Sequence, residues 1–178
     1  LFLRQTSPRM IGGAVAATIL TSDQLHKAWM LYGLDIMARQ PIRLTPFLDV
    51  VLSWNFGVSY SLLAAHAVVA RVLLIGLQSL IVALLIYWLA RSKNLWTCIA
   101  LGGVIGGALG NMTDRVFRGA VADFFYFHTT LPVGPLANYV FNLADVGITI
   151  GAGLLLYKSL TLGPSSTPDH SHDRSDIK

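Results

Sequence analysis

The chain has 178 residues, of which 54% are apolar and only 12% charged, with a net charge of +4 and a mean hydropathy of +0.60. That is more apolar surface than one small soluble core can bury, so the chain belongs in a bilayer. Its basic residues flank apolar segments without interleaved aromatics, which favours anionic lipid headgroups and argues against nucleic acid, and the single Cys98 leaves no disulfide framework or cysteine metal site within one chain.

A membrane-spanning helix needs about 20 mostly apolar residues, and four stretches approach that: residues 10–31, 72–90, 95–113 and 140–157. The first carries Asp23, Gln24 and Lys27 where a cleaved leader would carry small residues, so it is expected to be retained. Asp23 and Lys27 stand i, i+4 with the acid first, the favourable order on one helical face. They read either as an ion pair at the membrane interface, the lysine snorkelling to the headgroups, or as support for a site nearby.

Residues 32–71 mix Pro41, Pro46 and basic residues with the alternating run FLDVVLSWNFGVSYSLL. This predicts a small β element on the outer leaflet, followed by an interfacial helical segment near AAHAVVA. Asn55 and Gly57 within it read as a turn. Between the second and third spans stands only RSKN, whose Arg91 and Lys93 mark a cytoplasmic loop. Arg4 and Arg9 before the first span and Lys158 after the fourth put both termini on that side.

The third span carries two small-residue stripes, Gly102, Gly106 and Gly110, and one position along Gly103 and Gly107, which predict close helix packing. Continued by fours from Gly107, the second stripe reaches Asn111 and Arg115, with Asp114 beside them, so a polar cluster is expected at the outer end. The polar, Pro- and Ser-bearing stretch 161–178 reads as a disordered cytoplasmic tail, and its His170 and His172 read as solvated rather than metal-binding.

All nine acidic residues are Asp. Two of them, Asp123 in GAVADFFYF and Asp145 in FNLADVGI, stand at the edges of the last two apolar spans with a short loop between, on the same outer face. Carboxylates near lipid are costly, and two at one boundary can share a proton and activate water. Asn142 lies three residues before Asp145 at the start of the fourth helix. No GxSxG or HExxH motif and no phosphate-cradling glycine loop competes. A small proton-coupled transporter would also place carboxylates in a helix bundle, though no inverted repeat is visible. A scaffold recruiting partners through its glycine-rich helix is the non-enzymatic alternative.

Taken together, TSDQLHK, WNFGVSYS, GGALGNMTDR, GAVADFFYF and FNLADVGI resemble, in order and spacing across nearly the whole chain, the bacterial lipoprotein signal peptidases, or signal peptidase II. The resemblance implies an aspartic endopeptidase of the inner membrane that cuts diacylglyceryl-modified prolipoproteins just before the lipidated cysteine, without a cofactor and as a monomer among membrane lipids. It implies Asp123 and Asp145 as the catalytic pair, and Asp23, Lys27, Asn55, Gly57, Gly107, Asn111, Arg115 and Asn142 as residues that support the pair or line the substrate groove. Tyr60, where the family usually has Phe, and Ala122, where a branched residue is commoner, depart mildly from its pattern. The implied fold is an all-α membrane protein: a four-transmembrane-helix bundle with a small periplasmic β-cradle and an interfacial helix, residues 1–160 forming one peptidase domain.

Overall fold

A computed structural model describes residues 7–57, 67–131 and 134–161. Arg4, Tyr60, the interfacial segment up to His66 and the tail from residue 162, with His170 and His172, lie outside them. Helix α1 (Pro8–Ala28) starts where the Ser7 hydroxyl accepts from the amide of Met10, with Pro8 pre-set in the first turn. It widens into a π-turn at Trp29–Gly33, and a short α2 (Ile36–Arg39) follows. Strands β1 (Ile42–Thr45) and β2 (Leu48–Asn55) come next, then α3 (Ala67–Arg91) and α4 (Leu95–Phe117). Strand β3 (Val121–His128), a 3-10 turn at Gly134–Ala137, strand β4 (Asn138–Phe141) and α5 (Leu143–Thr161) complete the order.

Helix α4 is the centre of the bundle. Two thirds of its apolar window is buried, against 6% for α3, which is left to face lipid. Its two glycine stripes serve two partners. A Cβ on Gly106 would stand 2.5 Å from the carbonyl oxygen of Ala16 on α1, and one on Gly103 would stand 3.0 Å from that of Gly147 on α5. Backbone contact this close excludes a side chain at Gly106, and at Gly103 one would fit only if α5 gave way by a few tenths of an ångström. At one end of the bundle Arg9 donates to the carbonyl of Ser92 (3.0 Å) and Lys158 to the hydroxyl of Thr97 (2.5 Å). The start of α1, the turn between α3 and α4 and the last turn of α5 therefore share that end.

At the other end lies a four-stranded antiparallel sheet in the order β1-β2-β3-β4. Its inner face packs Val50, Ala122 and Phe124 against Met30 and Ile36, so the extension of α1 roofs the sheet. Between Val50 and Ser53 on β2 the register against β3 slips by one residue, just before the pairing of Ser53 with Asp123. Bulges of this kind re-aim side chains beside functional sites.

Three helices, α3 from Val68, α4 and α5, are long and apolar enough to cross a membrane. Several expectations shift. The helix expected over 72–90 begins at Ala67, absorbing residues assigned to the interfacial segment, and the helix expected over 140–157 begins at Leu143, because Val140 and Phe141 belong to β4. Half of the sheet, β3 and β4, comes from the stretch expected to be a short loop. Asp123 therefore sits inside a strand and not at the edge of a span.

Candidate active site

The site forms where β3, the start of α5 and the outer ends of α1 and α4 converge. Helix α4 ends at Phe117, and Gly119, at a φ of +86° that side chains rarely adopt, turns the chain back into β3. Asp123 follows four residues later and is 2% exposed. Asp145 stands in the first turn of α5, where it and Asn142 form a reciprocal cap. The Asp145 amide donates to Asn142 Oδ1 (3.0 Å) and the Asn142 amide to Asp145 Oδ2 (3.1 Å).

Asn142 also joins the two carboxylates, since its side-chain amide donates to Asp123 Oδ1 at 2.5 Å. Each remaining carboxylate oxygen has its own donor: Asn55 to Asp123 Oδ2 (3.2 Å) and Asn111 to Asp145 Oδ1 (2.8 Å). Asn111 Oδ1 in turn accepts from Asn142 (3.1 Å) and Lys27 (3.3 Å). Asn55 is held by its own turn, accepting from the amide of Gly57 (2.9 Å), whose φ of +80° leaves no place for a side chain. Burial first, and the charge of Asp145 second, push Asp123 up from the ordinary 3.8 to about 6, against the pull of Asn55, Asn142 and Lys27. A carboxyl group in that range can hold a proton near neutral pH beside a second carboxylate. The phenol of Tyr139 on β4 is pushed up by burial and by the same two charges.

Beneath the pair lies a buried charge network. Lys27 and Asp23 are both fully buried and 2.9 Å apart, and Lys27 also meets Asp114 Oδ2 at 2.7 Å. Lys27 thus does not snorkel: it has no exposed surface, because two carboxylates and Asn111 enclose it. The two aspartates anchor β3 and α5 symmetrically. Asp114 Oδ2 accepts from the amide of Ala122 (3.2 Å), one residue before Asp123, and Asp23 Oδ1 accepts from the amide of Ala144 (3.0 Å), one residue before Asp145. Arg118 closes the network against Asp114, and Gln24 bridges Asp23, Asp114 and Arg118.

The residues singled out in the sequence converge here. Gly107 stands where α4 approaches Ala144, at the start of α5. Asp114, Gln24, Arg118 and Gln78 stood outside the candidate set. The i, i+4 spacing of Asp114 and Arg118 was a usable signal, whereas nothing local marks Gln24 or Gln78. Among the described residues no group of three or more His, Cys, Asp or Glu side chains is placed to hold a metal ion.

A family model described as signal peptidase (SPase) II matches residues 15–161. A lipoprotein signal peptidase of Beijerinckia indica is 44% identical over 162 residues, 91% of this chain and 95% of that protein. One of Methylocella silvestris is 50% identical over 154 residues, 86% and 88% of the two chains. Two solved structures of bacterial membrane enzymes share the fold. One, at 24% identity, has a TM-score of 0.68 over 88% of this chain and 93% of that one; the other, at 25% identity, has a TM-score of 0.70 over 84% and 92%.

Proposed function

The chain belongs to the signal peptidase II family of aspartic peptidases, and from that premise we propose that it cleaves diacylglyceryl-modified prolipoproteins just before the lipidated cysteine, with Asp123 and Asp145 as the catalytic pair. The observation that carries this reading is the single residue Asn142, fully buried, which donates to both carboxylates and fixes them relative to each other. One carboxyl group is protonated and the other is not. The ionised carboxylate takes a proton from a water lying between them while that water attacks the scissile carbonyl, and the protonated carboxyl gives its proton to the carbonyl oxygen. The tetrahedral intermediate then collapses: the proton taken from water passes to the leaving nitrogen, the carbon–nitrogen bond breaks, and the hydroxyl proton returns to the pair. Asn55, Asn111 and Asn142 hold the carboxylates through these steps, and Arg115 binds the backbone of the bound segment.

The placement proposed is the bacterial inner membrane, with α1 as a fourth span despite its buried ion pair. The end that gathers Arg9, Arg91, Lys93 and Lys158 faces the cytoplasm, as their density in short loops favours, so both termini lie there. The sheet is the periplasmic β-cradle, and the pair lies near the periplasmic surface. The signal peptide enters sideways from the bilayer while the acyl chains stay in lipid, and the enzyme acts as a monomer. Purified protein in detergent, given a lipidated precursor and no ion gradient, is expected to release the signal peptide, as read by mass spectrometry. Asp123→Asn and Asp145→Asn should each abolish release, and normal cleavage by either folded variant refutes the pair.

A further inference from the structure

We propose that Gln78, in the lipid-facing helix α3, is a positioning residue that holds the Arg115 guanidinium toward the substrate; this rests on the peptidase reading above. Helix α3 has a mean hydropathy of 2.4 and buries almost nothing, so an amide about two turns in from Arg71 needs partners that lipid cannot supply. It finds two, one for each half. Gln78 Nε2 donates to the carbonyl of Ala108 on α4 at 2.7 Å, and Gln78 Oε1 accepts from Arg115 Nη1 at 3.1 Å.

The first bond orients the second. An amide whose nitrogen is pinned to the α4 backbone presents its oxygen in one direction, and the guanidinium docks against it. Arg115 donates from Nη1, to Gln78 and to the carbonyl of Asn111 (3.5 Å). Among the described residues its Nε is buried with no hydrogen-bond partner, and Nη2 lies 3.4 Å from where a Gly57 side chain would begin. A guanidinium carries five donors in one plane, so tying one nitrogen aims the others at the Asn55–Gly57 turn, whose Asn55 holds Asp123. A buried donor without an acceptor is costly; a backbone carbonyl of the substrate would supply that acceptor. Gln78 reaches no reacting atom itself. It acts by keeping Arg115 from turning out toward the headgroups, where a long cationic side chain at a membrane surface otherwise goes.

The test is a double-substitution cycle in the purified full chain, read as kcat, KM and thermal midpoint with a lipidated precursor. Gln78→Met keeps the length, suits the lipid face and removes both bonds. It should lower kcat/KM about tenfold, roughly the worth of one hydrogen bond to a charged group, with the midpoint unchanged. Gln78→Glu loses the bond to Ala108 but gives Arg115 a charged acceptor, whose stronger pull on the guanidinium replaces the lost orientation, so it should stay within about threefold of the parent. In an Arg115→Lys background, Gln78→Met should cost nothing further, because the group it positions is gone. Parent activity in Gln78→Met, equal losses in Gln78→Met and Gln78→Glu, or full additivity with Arg115→Lys each overturns the proposal. Asp123→Asn in the same series separates the two readings: if it is inactive while Gln78→Met matches the parent, only the role of Gln78 fails, and if it cleaves, the peptidase pair itself fails.

Discussion

Lys27→Met tests the buried network most directly. Lys27 is enclosed by Asp23 at 2.9 Å and Asp114 at 2.7 Å, all three without exposed surface. Removing the cation leaves both anions buried. Among the described residues Asp114 keeps Arg118, Gln24 and the Ala122 amide, whereas Asp23 keeps only Gln24 and the Ala144 amide, both uncharged donors. Breaking a buried pair by deleting one partner costs about 3–5 kcal/mol, and most of that should come from Asp23. The loss should appear as a lower thermal midpoint of the purified protein in detergent. Asp23→Asn added to Lys27→Met removes the orphaned charge while leaving an oxygen for the Ala144 amide, and should restore roughly half of the loss. Cleavage should not recover in step. The network also holds the backbones ahead of Asp123 and Asp145, and a shift of about 1 Å in a reacting group can cost about 100-fold in rate. A Lys27→Met midpoint equal to the parent's, or a double variant no more stable than Lys27→Met alone, refutes the reasoning.

Other expectations follow from single contacts. Because the fold holds Asp123 near 6, above the ordinary 3.8, it favours the protonated acid. That stabilisation is complete below 3.8 and is lost as pH rises through about 6, and cleavage should fall over an alkaline limb as the pair loses its shared proton. Asn55→Ala deletes a bond that favours the anion, so its pH–rate limb should move to higher pH; a move to lower pH contradicts the assignment. Asn142→Ser keeps a good helix cap but loses the donor to Asp123, so it should melt close to the parent and lose about 100-fold or more in kcat, whereas Asn142→Ala should also lose about 1 kcal/mol of stability. Gly107→Ala drives a methyl into the Ala144 carbonyl and should destabilise by about 1–3 kcal/mol. Gly76→Ala, with nothing within 4 Å, should leave the midpoint level or raise it.

The helices were legible in the sequence because lipid-facing segments announce themselves by sheer apolarity, and the two glycine stripes marked α4 as a closely packed helix. The polar residues after them, Asn111 and Arg115, followed from the same periodicity. Half of the sheet was legible, since β1 and β2 fall in the stretch whose alternation predicts strands, but β3 and β4 were not. Strand β3, VADFFYFH, is nearly continuous in its apolar and aromatic residues and shows no clean alternation. Its partner β2 lies some seventy residues earlier, so no local turn links the pairing of Ser53 with Asp123. The role of Asp114 is hidden from local spacing for a similar reason: its cation Lys27 and its bridge Gln24 lie on α1, about ninety residues away. Long-range pairing of this kind leaves no periodic trace. Asn142 was placed beside Asp145 by spacing alone, but its reach to Asp123 needed β3 and β4 to be adjacent strands.

The reciprocal cap at the head of α5 gives one carboxylate two employments. The oxygens of Asp145 proposed to move protons also receive the first amide of the helix that carries them, and its own amide returns the bond to Asn142. Selection for a well-started helix and selection for turnover therefore fall on the same side chain, and drift at this position is opposed twice. A chain that loses Asp145 forfeits part of the architecture that could present a replacement, so a lineage would find it hard to relocate this acid elsewhere on the scaffold while staying folded at each step.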